Sequence, residues 1–256
     1  MKIIDSHIHF DQYDERKQSQ ILADMEKEQV EALVTVSMNL ESSIKNAELS
    51  RKDSRIKPAF GFHPEQPLPS EQELNELLIW MRANRHNMIA VGEIGLPFYL
   101  RQENPAIDLA EYIKIVDRLL AFAKEIEKPV ILHAVHDDAP IVCDLLEKYG
   151  ITKAHFHWFK GDGETIAKMI RNEYRISITP DVCYERDIKD LVAVYPLELM
   201  MVETDGPWEF EGDFKGKATH PAMIQESVRR IATIKGLPID HVYETLYQNT
   251  KDFYEI

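Results

Sequence analysis

The chain opens with Ile3-Ile4-Asp5-Ser6-His7-Ile8-His9-Phe10, in which residues compatible with a β-strand lead into two histidines. Side chains alternate between faces along an extended strand, so His7 and His9 project from the same side. Neutral imidazole is the commonest metal ligand in proteins, and two rings at one strand end can hold an ion together. This stretch therefore predicts a strand that ends in half of a metal site, unless both are surface histidines near the N-terminus.

Beyond this stretch, short β-forming apolar segments alternate with longer amphipathic ones. The predicted strands are Lys2–Ser6, Ala32–Ser37, Ile56–Phe60, Met88–Gly92, Pro129–Leu132, Lys153–Phe156, Tyr174–Ile178 and Leu199–Val202. The predicted helices are 15–29, 41–52, 71–85, 107–127, 138–149, 162–172, 185–194, 219–235 and 239–250. This alternation indicates parallel strands with right-handed crossovers, as in a closed barrel or a doubly wound sheet. No G-x-G-x-x-G follows a strand, so we predict an α/β fold, a (β/α)8 TIM barrel, as one domain over residues 1–256.

Bulk properties limit the class of partner. The formal charge of −14 opposes a broad basic surface for duplex nucleic acid, although metal ions could still hold a nucleic-acid substrate locally. No apolar run reaches the roughly 18–20 residues that span a membrane, and no signal peptide is recognisable. Cys143 and Cys183 form no closely spaced motif. We therefore expect a cytoplasmic protein with reduced thiols, and neither a membrane nor a protein partner is implied.

Potential metal ligands follow most of the predicted strands. The carboxyl ends of barrel strands converge on one mouth, so residues at these positions should meet. They are His7, His9, His63, Glu93, His133, His157 and Asp205. Each has an ordinary explanation when taken alone, as a turn residue, a loop acid or a core histidine. Together, imidazoles and carboxylates suit zinc or manganese and tolerate magnesium, which predicts a divalent metal centre.

The same positions carry a family resemblance. In order they read His7-x-His9, Gly61-Phe-His-Pro64, Gly92-Glu-Ile-Gly95, Ile131-Leu-His133, His157-Trp-Phe-Lys-Gly161 and Glu203-Thr-Asp-Gly-Pro207. This ordered set resembles the TatD family of metal-dependent hydrolases, which are amidohydrolase-like TIM barrels. Asn249 and Phe253 resemble the N-x-x-x-F ending of that family, so the resemblance covers essentially the whole chain.

The resemblance implies a site with two divalent metal ions, which would be zinc, manganese or magnesium. His7, His9 and Asp205 would hold the first ion, Glu93 would bridge, and His133 with His157 would complete the second. The implied activity is that of TatD-like deoxyribonucleases, in which metal-activated water attacks a phosphoester bond of a DNA 3′ end or a nucleotide-like substrate. Asp205, as general base, and the bridging Glu93 are then the predicted catalytic residues.

Two further histidines are predicted to bind substrate. His63 would donate a hydrogen bond to a substrate phosphate or to an oxygen on the metal. His136 would stand in for an arginine that many family members carry just after the histidine of the fifth strand. By contrast, we predict that His155 is structural and faces the helices.

Other departures from the family pattern also concern the substrate. The Glu93 motif continues as Leu96-Pro97-Phe98-Tyr99 without the usual aspartate, and 215–221 replaces a family Arg-Asn-x-Pro segment. Aromatic residues after the strand ends could stack a nucleobase or could simply pack loops over the barrel. Two alternatives thus stay open, which are hydrolysis of a lactone or amide and a non-catalytic binding barrel.

Overall fold

The computed structural model describes residues 1–256. Its eight strands form one parallel sheet, in which each strand is hydrogen-bonded to the next in chain order. The strands are β1 Ile3–Ile8, β2 Val30–Thr35, β3 Ile56–Phe62, β4 Ala90–Gly95, β5 Val130–His133, β6 Ala154–Phe156, β7 Arg175–Ile178 and β8 Met200–Val202. The helices are α1 Glu15–Asp24, α2 Leu40–Lys52, α3 Glu71–Ala83, α4 Phe98–Glu103, α5 Leu109–Glu125, α6 Asp138–Tyr149, α7 Gly163–Arg171, α8 Arg186–Val194, α9 Ile224–Lys235 and α10 Ile239–Tyr254. The sheet curls into a nearly closed (β/α)8 TIM barrel, as predicted.

Each predicted strand is present, and the differences lie mainly among the helices. Helix α4 was not predicted, because six residues are too few to display a helical period. The helix predicted to start at residue 219 begins instead at Ile224, after a 3-10 turn over Pro221–Met223. Helix α10 continues to Tyr254, beyond the predicted end at residue 250. None of the helices combines the length and hydrophobicity needed to cross a bilayer.

Hydrogen bonds between the ends of β1 and β8 bring the two edges of the sheet together. The N–H of Asp205 donates to the His7 carbonyl at 2.9 Å, and the N–H of His9 donates to the Gly206 carbonyl at 2.8 Å. The fully buried Asp5 carboxylate accepts both the N–H and the hydroxyl of Thr204, at 3.0 and 2.5 Å. Because of these bonds, residues about 200 positions apart in sequence meet at the mouth of the barrel.

The inside of the barrel is filled by small and medium apolar side chains and closed at its base by the end of α10. These buried residues form one contiguous cluster, namely Ile4, Ala32, Val34, Val36, Ala59, Ala90, Ile131, Met201, Phe253 and Tyr254. The much larger second core lies between the strands and the surrounding helices. The packed interior leaves the mouth as the place where strand-end side chains can meet a ligand.

Candidate metal centre

The six residues predicted as metal ligands lie together at the carboxyl ends of the strands. Each is at most 8% exposed, and the set comprises His7, His9, Glu93, His133, His157 and Asp205. They come from β1, β4 and β5 and from the segments just after β1, β6 and β8. The fold therefore concentrates four imidazoles and two carboxylates in a buried position, where isolated charges are costly.

Two irregularities in the strands turn two of these residues inward. Ile4 and Ala90 point into the barrel, so strict alternation would direct His7 and Glu93, three residues later, toward the helices. The pairing register shifts between Asp5 and Ile8 in β1, and between Val91 and Ile94 in β4. Each shift reverses the facing of the residues that follow, as β-bulges beside active sites commonly do.

One carboxylate lies at the centre of the cluster and faces two groups of ligands. Glu93 Oε2 lies 3.1 Å from His7 Nε2 and 3.3 Å from His9 Nε2. Asp205 Oδ1 lies 3.3 and 3.5 Å from the same two nitrogens. Glu93 Oε1 faces the other way, 2.7 Å from His157 Nε2 and 3.1 Å from His133 Nδ1. This is the arrangement of a carboxylate that could bridge two cations.

The second group of ligands contains His133 and His157, and the position of the His133 proton follows from a contact outside the cluster. His133 Nε2 lies 3.1 Å from a carboxylate oxygen of Glu65, which can only accept, so a neutral His133 ring carries its proton on Nε2 and a lone pair on Nδ1. That lone pair lies 3.1 Å from His157 Nε2 and 3.1 Å from Glu93 Oε1. Three potential acceptors thus converge on one point, which calls for a bound cation or extra protons.

Unpaired polar atoms indicate that a cation fits. Several buried atoms that face the centre of the cluster have no hydrogen-bond partner, namely Nε2 of His7, Oε2 of Glu93 and Oδ1 of Asp205. Buried polar atoms are almost always paired, so each exception needs an explanation. A donor set of imidazoles and carboxylates is the set that divalent transition metals prefer. The residues present therefore fit a divalent metal centre.

The electrostatics of the cluster agree with this assignment. Burial would raise the pKa of Glu93, but the neighbouring His157, His63 and His7 outweigh burial and hold that pKa well below its ordinary range. Burial and His157 would lower the pKa of His7, but Glu93 and Asp205 outweigh both and raise it to about 9. Without a metal, the cluster retains protons on imidazoles beside ionised carboxylates. Metal binding would therefore release protons.

His63 joins the cluster but is set up as a hydrogen-bond donor. Its Nδ1 accepts the backbone N–H of Glu65 at 3.1 Å, so the ring of a neutral His63 carries its proton on Nε2. This Nε2 lies 3.3 Å from Glu93 Oε1. Burial is the main reason that the pKa of His63 is lowered, which favours the neutral ring. A metal ligand would need a lone pair on Nε2, so this contact supports the donor role rather than metal binding.

His136 lies apart from the cluster, on the exposed rim of the mouth. Its ring packs against Phe98 with the two centroids 4.6 Å apart, and its backbone has a φ of 51°. The rim also carries Tyr99, which is 45% exposed, and Trp208, which is 60% exposed. The Trp208 ring lies 5.7 Å from that of Trp158, so the rim is an aromatic surface around the buried cluster.

The predicted orientation of His155 is wrong. Residues two apart in a strand share a face, so His155 points into the barrel together with His157. It lies fully buried beneath the cluster, with Nδ1 2.6 Å from the Tyr254 hydroxyl and Nε2 2.6 Å from the Ser177 hydroxyl. Burial is the largest of the causes that hold its pKa well below the ordinary range, so the ring is neutral.

Two acidic residues that contact the cluster were not predicted. Glu65 holds the outer nitrogen of His133 and also accepts the N–H groups of Tyr99 and Leu100, at 2.9 and 2.6 Å. Glu203 is fully buried below His157, with Oε1 3.8 Å from its Nδ1. Alternation along β8 from the inward-facing Met201 would have indicated Glu203. Glu65 lies in a loop, where no periodic signal exists.

Comparisons with known proteins identify the family of the chain and agree with its fold. The model of the family described as "TatD related DNase" matches residues 4–255. A protein of Haemophilus influenzae named an uncharacterized metal-dependent hydrolase is 35% identical over 255 residues, which cover 99% of this chain and 100% of that protein. Human deoxyribonuclease TATDN3 is 29% identical over 256 residues, covering 96% of this chain and 92% of the human protein.

Among solved structures, the chain is similar to YJJV, a TatD homolog from Escherichia coli. The TM-score is 0.88 at 22% identity, over 99% of this chain and 98% of the other. A TatD family hydrolase from Entamoeba histolytica gives a TM-score of 0.84 at 20% identity, over 99% and 98% of the two chains. Both likenesses concern the fold.

Proposed function

The chain belongs to the TatD related DNase family of metal-dependent hydrolases, and on that premise we propose that it hydrolyses phosphoester bonds at DNA ends or in nucleotide-like substrates. The observation that carries the proposal is the orientation of Glu93, whose two carboxylate oxygens face two separate groups of buried imidazoles. Two-ion sites of this kind suit displacement at phosphorus, because both the entering and the leaving oxygen need stabilisation.

In this proposal His7, His9 and Asp205 would hold one ion, His133 and His157 would hold the other, and Glu93 would serve both. The distances of 2.7–3.5 Å among their facing nitrogen and oxygen atoms support the division into two groups. When bound, divalent ions supply Lewis acidity and lower the pKa of water toward neutrality.

Two residues of the chain then manage protons and substrate. Burial would raise the pKa of Asp205, but His7, His157 and His9 outweigh burial and keep that pKa below its ordinary value. Its carboxylate is therefore ionised near neutral pH and can accept a proton from the attacking water as general base. The neutral His63 directs its Nε2–H into the cluster, where it can hydrogen-bond to a phosphate oxygen.

The rim supports a substrate with nucleobases. Tyr99 and Trp208 offer exposed aromatic faces on which bases of any sequence can stack. The Lys160 ammonium lies 5.4 Å from the centre of the Trp158 ring, so a cation also lies at this edge of the mouth. These features are local, in a chain whose formal charge is −14, which agrees better with recognition of a strand end than with a long duplex.

Hydrolysis of a lactone or amide is the second candidate. The acidic chain and the absence of an arginine after His133 favour an uncharged substrate. The same cluster could serve either reaction, because both require a Lewis acid and a nucleophile.

A substrate panel tests the proposal. Protein loaded with Mn²⁺, Zn²⁺ or Mg²⁺ is assayed against bis(p-nitrophenyl) phosphate, a 3′-labelled single-stranded oligonucleotide, a lactone and an amide. We expect turnover of the phosphodiesters, loss of that turnover in His7→Ala, and normal turnover in the matched control His241→Ala, which replaces an exposed histidine on α10. Turnover confined to the lactone or amide would overturn the phosphoester proposal in favour of the second candidate.

A further inference from the structure

A column of polar side chains runs up the otherwise apolar interior of the barrel to the base of the metal cluster. Its members are Tyr254 at the end of α10, His155 on β6, Ser177 on β7 and Glu203 just after β8. The last three are at most 2% exposed and Tyr254 is 4% exposed. Polar groups in such a position need complete hydrogen bonding, so the direction of every bond in the column can be deduced.

The bonds all point toward Glu203. The Ser177 hydroxyl donates to Glu203 Oε2 at 2.5 Å. His155 Nε2 lies 2.6 Å from the same Ser177 oxygen and must therefore donate to it. His155 Nδ1 is left to accept the Tyr254 O–H at 2.6 Å. Tyr254, His155 and Ser177 thus form an ordered series of donors that ends at Oε2 of Glu203.

The other oxygen of Glu203 faces the ligand histidines. Oε1 accepts the backbone N–H of Trp158 at 2.8 Å and lies 3.8 Å from His157 Nδ1, a buried nitrogen without a hydrogen-bond partner. The ring of His7 stacks on that of His157, with centroids 3.9 Å apart and an interplanar angle of 13°. One ring nitrogen of each histidine and one Glu203 oxygen lie within 4.8 Å of one another.

We propose that Glu203 is a positioning residue, whose carboxylate faces Nδ1 of His157, favours the tautomer protonated there and so keeps the Nε2 lone pair aimed at the metal beside Glu93. A carboxylate behind a ligating imidazole fixes its tautomer and ring orientation and increases its basicity as a ligand. The column from Tyr254 to Ser177 holds Glu203 in place for this role. The inference rests on the proposed metal centre and adds the outer layer that orients it.

The stacked rings extend the effect to both ion positions. His157 belongs to the second group of ligands and His7 to the first, so a tilt of the His157 plane displaces the ring packed against it. Loss of Glu203 should therefore weaken the binding of both ions, and not only of the ion that His157 would hold. Loss of Ser177 should have the same effect to a smaller degree, because the carboxylate stays but is no longer held from below.

The two variants that test the proposal are Glu203→Gln and Ser177→Ala. Ser177 and Trp158 donate to different oxygens of Glu203, and glutamine has only one acceptor oxygen, so it cannot keep both bonds and presents no carboxylate to His157. Ser177→Ala leaves the Glu203 side chain in place and removes only its lower hydrogen bond. The control is Ser227→Ala, which makes the same change at a fully buried serine of α9 that has no hydrogen-bond partner.

The readouts are dissociation constants for Zn²⁺ and Mn²⁺ by titration calorimetry and the imidazole N–H resonances of Zn²⁺-loaded protein by NMR. Thermal unfolding of the metal-free proteins checks that each variant folds. We expect Ser177→Ala to raise the dissociation constants of both ions by about 10- to 100-fold and Glu203→Gln to raise them further. The constants of Ser227→Ala should match those of the parent. The resonance of the His157 Nδ1–H should disappear in Glu203→Gln.

Two results would overturn the inference while leaving the metal centre intact. The first is binding of both ions within twofold of the parent in Glu203→Gln and Ser177→Ala. The second is loss of one whole ion in Glu203→Gln with unchanged affinity in Ser177→Ala, which would make Glu203 a metal ligand. If the parent protein itself binds no divalent ion, the proposed function fails first, and the positioning role fails with it.

Discussion

The ligand cluster and the rim of the mouth lie side by side but are built in opposite ways. The cluster is held by strand backbones and is buried, with Glu93 and His7 at 0% exposure. The rim is formed by α4 and by loop residues after the strands and is open, with Trp208 at 60% and Tyr99 at 45% exposure. The cluster contains unpaired polar atoms that fit a cation, whereas the rim presents aromatic faces with the Lys160 ammonium beside them.

The difference teaches which region governs which property. Side chains fixed on barrel strands keep a reactive geometry, while the loops above them vary and determine what the barrel acts on. Changes in the cluster should therefore reduce turnover of every substrate. Changes in the rim should alter the affinity for particular substrates and leave turnover of a small one unchanged. A variant that breaks this division would show that the two regions are not independent.

The largest effect is expected for Asp205→Asn. The amide cannot accept the proton of the attacking water, so kcat should fall by about 10²- to 10⁴-fold for every substrate that the enzyme turns over. Steady-state kinetics on bis(p-nitrophenyl) phosphate and on the labelled oligonucleotide measure the change. The control is Asp117→Asn, which alters an ion pair with Lys148 on the outer surface. A rise in KM with unchanged kcat would contradict the role of general base.

The second-largest effect is expected for removal of the metal, which should lower the stability of the folded protein. Each bound ion stabilises the folded state by about 2.7 kcal/mol when its concentration is 100 times its dissociation constant. Chelation should therefore lower the unfolding temperature measured by calorimetry, and added Mn²⁺ should restore it. The variant His7→Ala should respond less than the parent and Trp208→Ala should respond equally. An equal response of His7→Ala would place the stabilising metal outside the cluster.

The sequence was sufficient to predict the barrel and the residues that meet in the cluster, because both depend on patterns that recur along the chain. Eight apolar segments separated by amphipathic ones predict the fold, and His or acidic residues at successive strand ends predict a common site. Alternation could not explain why His7 and Glu93 face inward, since a register shift in β1 and in β4 reverses the facing. Those shifts become visible only when each strand is paired with its neighbour.

The sequence was least informative about contacts between elements that are distant along the chain. The bond between Glu65 and His133 joins a loop to a strand, and the column beneath Glu203 ends at Tyr254, on the last helix. His155 was placed on the wrong face, although its spacing from His157 was sufficient to place it correctly. The outer layer of the site thus depends on tertiary packing, which no local motif encodes.

The rim can be tested with Trp208→Ala. If bases stack on Trp208, its loss removes about 1–3 kcal/mol per base, so KM for the oligonucleotide should rise by roughly 5- to 100-fold. The kcat for bis(p-nitrophenyl) phosphate should stay constant, because the cluster is untouched. Val194→Ala is the matched control, since Val194 is 62% exposed and lies on α8. Equal effects on both substrates would show that Trp208 supports the cluster and not the substrate.

The smallest effect is expected at His136, the rim residue that is predicted to stand in for a phosphate-binding arginine. A guanidinium at this exposed position adds a permanent charge and a planar pair of donors, worth about 0.2–1 kcal/mol toward an anion. His136→Arg should therefore lower KM for phosphodiesters by roughly two- to fivefold and leave KM for an uncharged lactone unchanged. His86→Arg adds the same charge at an exposed site after α3 and should change neither. If His86→Arg gives the same gain, the effect is one of net charge, and His136 has no specific contact with the substrate.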